Sequence, residues 1–285
     1  MQTDFLVFLK ELFMNILIIG AHPDDCEFYA ACTAVKWVRH GFRVRFVSVS
    51  NGDAGHHAME REALADRRRA EVERADTMLG VEWTILDNHD GEIVPSLDNR
   101  QVLIRQIRNF HADVVISHRP NDYHPDHRNT GILVQDTAYL VIVPNVCPDA
   151  PALRKNPVYL YLQDEFRSPE PFRPDIIVPV DDVFDKKVEA LHLMPSQFYE
   201  WLPWTMGMLD SVPAGDPERR SWLDTLLRRW MQNPFMKEME AMYGYETAHT
   251  IEMAEVFQVC EYGLRPSCDD LRELFPFLPP FVSCG

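Results

Sequence analysis

The stretch Asn15-Ile-Leu-Ile-Ile-Gly-Ala-His-Pro-Asp-Asp25 decides the fold. After one asparagine it is apolar or glycine up to Ala21, the pattern of a strand buried on both faces in the middle of a parallel sheet. It then ends in a histidine, a proline and two adjacent carboxylates. Pro23 suits the first position of a following helix, where its fixed φ is wanted and its missing N–H is not. In an open parallel sheet ligands bind in the crevice beyond the carboxyl ends of the strands. His22, Asp24 and Asp25 are therefore expected in that crevice, as a metal site built on a strand end.

Outward from this run, strand and helix alternate. A helix over Glu27 to His40 stops at Gly41, and Val44 to Ser50 is a β-branched strand broken by Asn51-Gly-Asp-Ala-Gly55. A long helix over Met59 to Leu79 ends at Gly80, and Glu82 to Leu86 reads as a third strand. Asn88-His-Asp-Gly91 is turn chemistry, Leu97 to Phe110 returns to helical spacing, and Asp113 to Ser117 is a fourth strand. A polar loop from His118 to Asp126 leads to a helix over His127 to Val141. Further strands are expected at Val158 to Leu162 and Ile176 to Val180, with a helix at Phe184 to Leu193. This alternation predicts an α/β fold, a Rossmann-like, doubly wound, mostly parallel sheet. The expected organisation is a single domain over 1–285, with an α/β core of about 14–195 and a helical, Trp-rich C-terminal appendage of about 196–285. The appendage shows helical spacing from about Pro217 to Tyr243. Residues 1–13 read as an N-terminal extension arising from a start codon upstream of Met14.

A chain of 285 residues that is 46% hydrophobic can bury a large core and is not disordered. Its formal net charge of −16 argues against a nucleic-acid surface, which needs clustered Lys and Arg. It favours a neutral or cationic small substrate over a polyanion. No secretory signal or membrane span is visible, so the plain reading is an acidic, soluble, cytoplasmic protein without membrane or nucleic-acid partners. The six cysteines show no Cys-x-x-Cys pair and read as mostly free and reduced. The oligomeric state stays open, a homo-oligomer included.

A second constellation, Asn121-Asp-Tyr-His-Pro-Asp-His127, follows the fourth strand and mirrors the first. Both place histidine and aspartate on a strand-to-helix turn that opens on one edge of the sheet. Alone, a His-Pro-Asp run is commonly a helix cap. Together the two supply imidazoles and carboxylates without thiolate, a set suited to Zn²⁺, Fe²⁺ or Mn²⁺. The residues alone leave open which aspartate would bind metal.

These residues resemble the LmbE/PIG-L-like family of metal-dependent N-deacetylases. The family hallmarks Ala-His-Pro-Asp-Asp-x-Glu and His-Pro-Asp-His are matched in full by Ala21 to Glu27 and His124 to His127, and the resemblance covers roughly Met14 to Val141. It implies a zinc ion held by His22, Asp25 and His127, with Fe(II) as the competitor. Three protein ligands leave a position for water, whose pKa the metal lowers towards about 7. It further implies Asp24 as general base, His124 as oxyanion stabiliser or proton donor to the leaving amine, and Asp126 as the carboxylate that orients His124. The implied activity is removal of an acetyl group from an N-acetylated amino sugar, such as an N-acetylglucosamine compound, or its conjugate.

Substrate contacts are expected at Arg68, Tyr123 and His56. Arg68 sits on an Arg-rich helix whose bland reading is a solvated face. Tyr123 and His56 are set against loop packing and simple exposure. Glu27 is expected to serve the helix start electrostatically. Ser50-Asn-Gly-Asp-Ala-Gly55 departs from the family's Thr-Arg-Gly-Glu-Ala-Gly run, which alters the expected sugar contacts. The tryptophans read more readily as core anchors than as sugar-stacking platforms. Two alternatives stand beside the deacetylase: a broader amidase, and a non-catalytic metal- or ligand-binding module. A dinucleotide site is excluded because no Gly-x-Gly-x-x-Gly follows the first strand.

Overall fold

The computed structural model describes residues 13–232 and 234–278. A seven-stranded sheet in the order β3-β2-β1-β4-β5-β7-β6 forms its centre. The strands are β1 (Asn15–Gly20), β2 (Arg43–Ser50), β3 (Glu82–Asn88), β4 (Val114–Ser117), β5 (Val158–Leu162), β6 (Ile176–Pro179) and β7 (Ala254–Val259). The first five pair in parallel, and β7 runs antiparallel to both β5 and β6.

The two-residue period of a strand divides its side chains between two cores. Ile16, Ile18, Val114 and Ile116 join one cluster with helices α1 (Asp25–Arg39), α2 (Arg61–Leu79), α5 (Phe184–His192) and α6 (Asp216–Trp230). Leu17, Ile19 and Val115 join the other with α3 (Leu97–Phe110), α4 (Pro125–Leu140) and α7 (Met236–Tyr243). The apolar run from Ile16 to Ile19 is thus fully enclosed, at 0% exposure throughout, and the doubly wound reading holds.

The chain builds outward from β1 through β2 to β3, then returns to place β4 on the other side of β1. This reversal opens a crevice between the carboxyl ends of β1 and β4, where both His/Asp motifs emerge. Gly20 keeps the first turn tight, since a Cβ there would lie 2.6 Å from Asp25 Cβ.

Three local expectations change. Pro23 lies before the helix rather than in it, because α1 starts at Asp25, and Pro125 takes the first helical position of α4 instead. The segment read as a helical appendage also supplies β7, inserted between β5 and β6. Cys26, Cys32, Cys147 and Cys260 are free and buried, while Cys268, at the start of α8 (Cys268–Leu274), is disulfide-bonded. The expected N-terminal extension lies, apart from Phe13, outside the described residues. Among the described residues no helix is long and apolar enough to cross a membrane.

Candidate metal centre

The turn after β1 brings His22, Asp24 and Asp25 to the crevice, all buried. Asp25 is fixed by its own chain: its Oδ2 accepts the Ala21 and His22 N–H groups, each at 2.8 Å. The turn after β4 brings His124 and His127. His124 caps α4, its Nδ1 accepting the Asp126 N–H at 3.2 Å.

Three side chains converge. His22 Nδ1 lies 3.2 Å from His127 Nε2, His127 Nε2 lies 3.3 Å from Asp25 Oδ1, and His22 Nδ1 lies 3.6 Å from Asp25 Oδ2. Donor atoms around a tetrahedral ion bound at about 2.0–2.1 Å stand about 3.3 Å apart. Each histidine turns its far nitrogen to a carboxylate: His127 Nδ1 is 3.2 Å from Asp122, and His22 Nε2 is 3.3 Å from Asp90 and 3.4 Å from Asp126. Such outer carboxylates set the tautomer of a metal-ligating imidazole. The residues present therefore fit a divalent ion.

Titration behaviour follows from burial and these neighbours. Burial works against charge on His127, yet Asp25 and Asp122 raise it to about 9. Burial alone would raise Asp25, but His127 and His118 hold it well below the usual carboxylate range. Burial and the adjacent Asp25 charge push Asp24 up to about 6, against the pull of Arg68, His22 and His127. The two neighbouring carboxyls are thus driven apart, Asp25 charged and Asp24 able to exchange a proton near neutrality. Burial, His22 and His127 lower His124. Because its Nδ1 accepts a backbone N–H, the neutral ring carries its proton on Nε2.

The other expected residues are placed as follows. Asp126 accepts the Gly91 N–H at 2.7 Å and the Ile93 N–H at 3.2 Å, so its carboxylate stands behind His22. Towards His124 it gives its backbone N–H as a hydrogen bond, while its carboxylate acts through charge, favouring the protonated ring. Arg68 is buried rather than solvated, and its guanidinium donates to Gly55 O at 2.7 Å and to Gln197 Oε1. Gly52, at φ 71°, makes room for it, since a Cβ there would meet Arg68 Cδ at 2.8 Å. Tyr123 is 70% exposed, with its ring 5.6 Å from that of His127. His56 has both ring nitrogens engaged, by Glu200 at 2.9 Å and by the Ala58 and Met59 N–H groups at 3.1 Å. Glu27 is buried against Asp76, where burial raises it to about 8, and it is not among the residues lining the cavity over the centre.

The residue reading missed His118, Asp90 and Asp122. His118 stacks on His127 with ring centroids 4.1 Å apart, and its Nε2 lies 3.1 Å from Asp25 Oδ2. Its signal was available: it follows β4 directly, much as His22 follows β1. Asp90 was read only as turn chemistry and Asp122 only as motif flank.

The centre sits at the floor of a cavity of about 210 Å³ whose walls include Asp24, Tyr29, Tyr123, Gln197 and Trp230. The family model described as PIG-L, GlcNAc-PI de-N-acetylase, matches residues 17–138. Diacetylchitobiose deacetylase of Thermococcus kodakarensis is 27% identical over 198 residues, covering 67% of this chain and 73% of the relative. 4-Oxalmesaconate hydratase of Pseudomonas putida is 26% identical over 201 residues, covering 67% of this chain and 77% of the relative. Among solved structures, N,N'-diacetylchitobiose deacetylase from Pyrococcus horikoshii superposes with a TM-score of 0.68 at 23% identity, covering 90% of this chain and 88% of the other.

Proposed function

From a chain whose residues 17–138 carry a domain of the PIG-L (LmbE-like) family, we propose a metal-dependent hydrolase that removes an acetyl group from an N-acetylated amino sugar or its conjugate. The observation that carries this reading is the convergence of His22 Nδ1, His127 Nε2 and Asp25 beside a separate buried carboxyl, Asp24, at the floor of one cavity. Mere metal binding needs no such second carboxyl.

In this reading His22, Asp25 and His127 hold the ion, zinc with Fe(II) as the competitor. When bound, the ion supplies a Lewis acid that polarises the amide carbonyl and acidifies water. Asp24 takes the proton of the water that attacks the carbonyl carbon. His124, neutral with its proton on Nε2, donates a hydrogen bond to the oxygen on which negative charge develops. As the C–N bond breaks, Asp24 returns the proton to the leaving nitrogen, giving acetate and a free amine. Asp122 orients His127, while Asp90 and Asp126 orient His22. Arg68 stands near Asp24 and favours its ionised form.

The similarity to a hydratase favours a second reading, addition of water to a carbon–carbon double bond by the same base and donor. The cavities weigh against a polycarboxylate substrate of that kind, because among the described residues no Lys or Arg lines this cavity or the one adjoining it. Acetate release from a panel of N-acetylhexosamine compounds, measured with and without chelator, tests the proposal. Release that chelator abolishes and Zn²⁺ or Fe²⁺ restores is the expected result. Metal-replete protein that releases no acetate but hydrates a conjugated oxo-acid would overturn it. Metal-replete protein that does neither would favour the binding module.

A further inference from the structure

We propose that the substrate carries, beyond its acetylated amine, a bulky uncharged ring-bearing or aliphatic group that seats in a second chamber adjoining the catalytic cavity. The inference names a substrate class for the function proposed above and rests on it. The catalytic cavity, at about 210 Å³, is smaller than the ~300–1,000 Å³ typical of ligand sites. The adjoining chamber is about 670 Å³, and Phe28, Tyr29, Tyr123, Met206 and Trp230 line both spaces. The two therefore adjoin across these five side chains, with the metal centre in the smaller one.

The lining of the larger chamber sets the chemistry. Phe166 and Met231 extend the ring and thioether surface beyond the shared wall, with Phe166 stacked on Tyr123 at 6.5 Å. Aromatic and methionine surfaces of this kind recognise apolar shape rather than charge. Four acidic residues also line the chamber, and three already have a basic partner. Asp164 pairs with Arg119 through two oxygens at 2.5 and 2.6 Å, Glu255 lies 2.7 Å from Lys187, and Asp122 faces His127. The fourth, Glu165, is exposed at the rim. With no Lys or Arg among the described residues of the lining, an aglycone bearing phosphate or carboxylate would bury its charge unpaired. An apolar one would trade water for ring surface.

The test compares free N-acetylglucosamine, its phenyl and octyl β-glycosides and its 1-phosphate as substrates of the metal-loaded protein, and separately measures binding of phenyl β-glucosaminide against glucosamine. The amines need no turnover to bind. Burial of one ring or chain predicts a KM lower by about tenfold or more for the phenyl and octyl glycosides than for the free sugar, with no gain for the 1-phosphate. It predicts the same preference in binding. Phe166→Ala is expected to reduce both preferences, and Phe166→Tyr to keep them. Equal binding of the two amines, or a preference for the 1-phosphate, overturns the chamber. A binding preference without acetate release from any compound keeps the chamber and overturns the deacetylase reading instead.

Discussion

His22 and His127 present Nδ1 and Nε2 to each other at 3.2 Å, and each keeps its far nitrogen against a carboxylate. Two imidazoles facing one another this closely, with Asp25 alongside, could hold a cation between them, as the proposed function requires. Asp122 then acts on metal affinity by holding the His127 ring. Asp122→Asn is expected to weaken metal binding by about 10–100-fold, read by competition with a calibrated chelator. At saturating metal, kcat should stay near the parent value. A loss of kcat with unchanged metal affinity would place Asp122 in the chemistry instead.

Asp24 and Asp25 are adjacent in sequence and opposite in electrostatic fate, one raised to about 6 and the other held low. Asp24→Asn is expected to lower kcat by about 10²–10⁴-fold with metal content retained, the cost of losing a general base. Asp25→Asn should lose metal and activity together. Elemental analysis beside acetate release decides it, and equal metal loss in the two variants sinks the division of roles.

The sheet and the two motif turns were legible because each rests on local pattern: buried strands at Ile16 to Ile19 and Val114 to Ser117, each followed by His and Asp. What lay beyond reach depends on tertiary closure. Glu255 interrupts the apolar pattern of β7, and a buried acid is tolerable there because α5 brings Lys187 to 2.7 Å and α1 supplies the Cys32 and Thr33 N–H groups at 3.0 and 2.7 Å. The carboxylate of Asp126 stands against His22 because the Gly91 and Ile93 N–H groups hold it there, a contact that the sequence spacing does not show. Arg68 looked solvated on an Arg-rich helix, and its burial follows from the loop bearing Gly52 and Gly55 closing over it.

Arg68 favours the charged form of Asp24. A base must be deprotonated to work, so kcat/KM falls as pH drops through the Asp24 pKa. That value is about 6 without a cation in the centre, and a bound cation moves it lower. Arg68→Met removes one of the charges that lower it, so the acid limb should move to higher pH. The variant then loses more activity at pH 6 than at pH 8. A loss of the same factor at every pH would make Arg68 a substrate contact and not a partner of Asp24.

Helix α4 carries His127 at one end, and at the other a single buried side chain gathers the carbonyls of its last residue and of the segment that follows. Arg108, 1% exposed on α3, donates to the carbonyl oxygens of Leu140, Val141, Val143, Val146, Cys147 and Ala150 at 2.5–3.0 Å. Arg108→Met keeps much of the side-chain bulk but leaves these acceptors without their donor. Each buried acceptor left unpaired costs about 1–3 kcal/mol, partly recovered by water and relaxation. A net loss of about 3 kcal/mol is expected, which lowers Tm by roughly 6–12 °C in a chain of this size. Metal affinity of the folded variant at 25 °C should match the parent, because the centre is fixed from the other end of α4 by Asp122 and Asp25. Scanning calorimetry and metal titration together check this. A Tm within a degree of the parent would show that the last turn of α4 holds without Arg108.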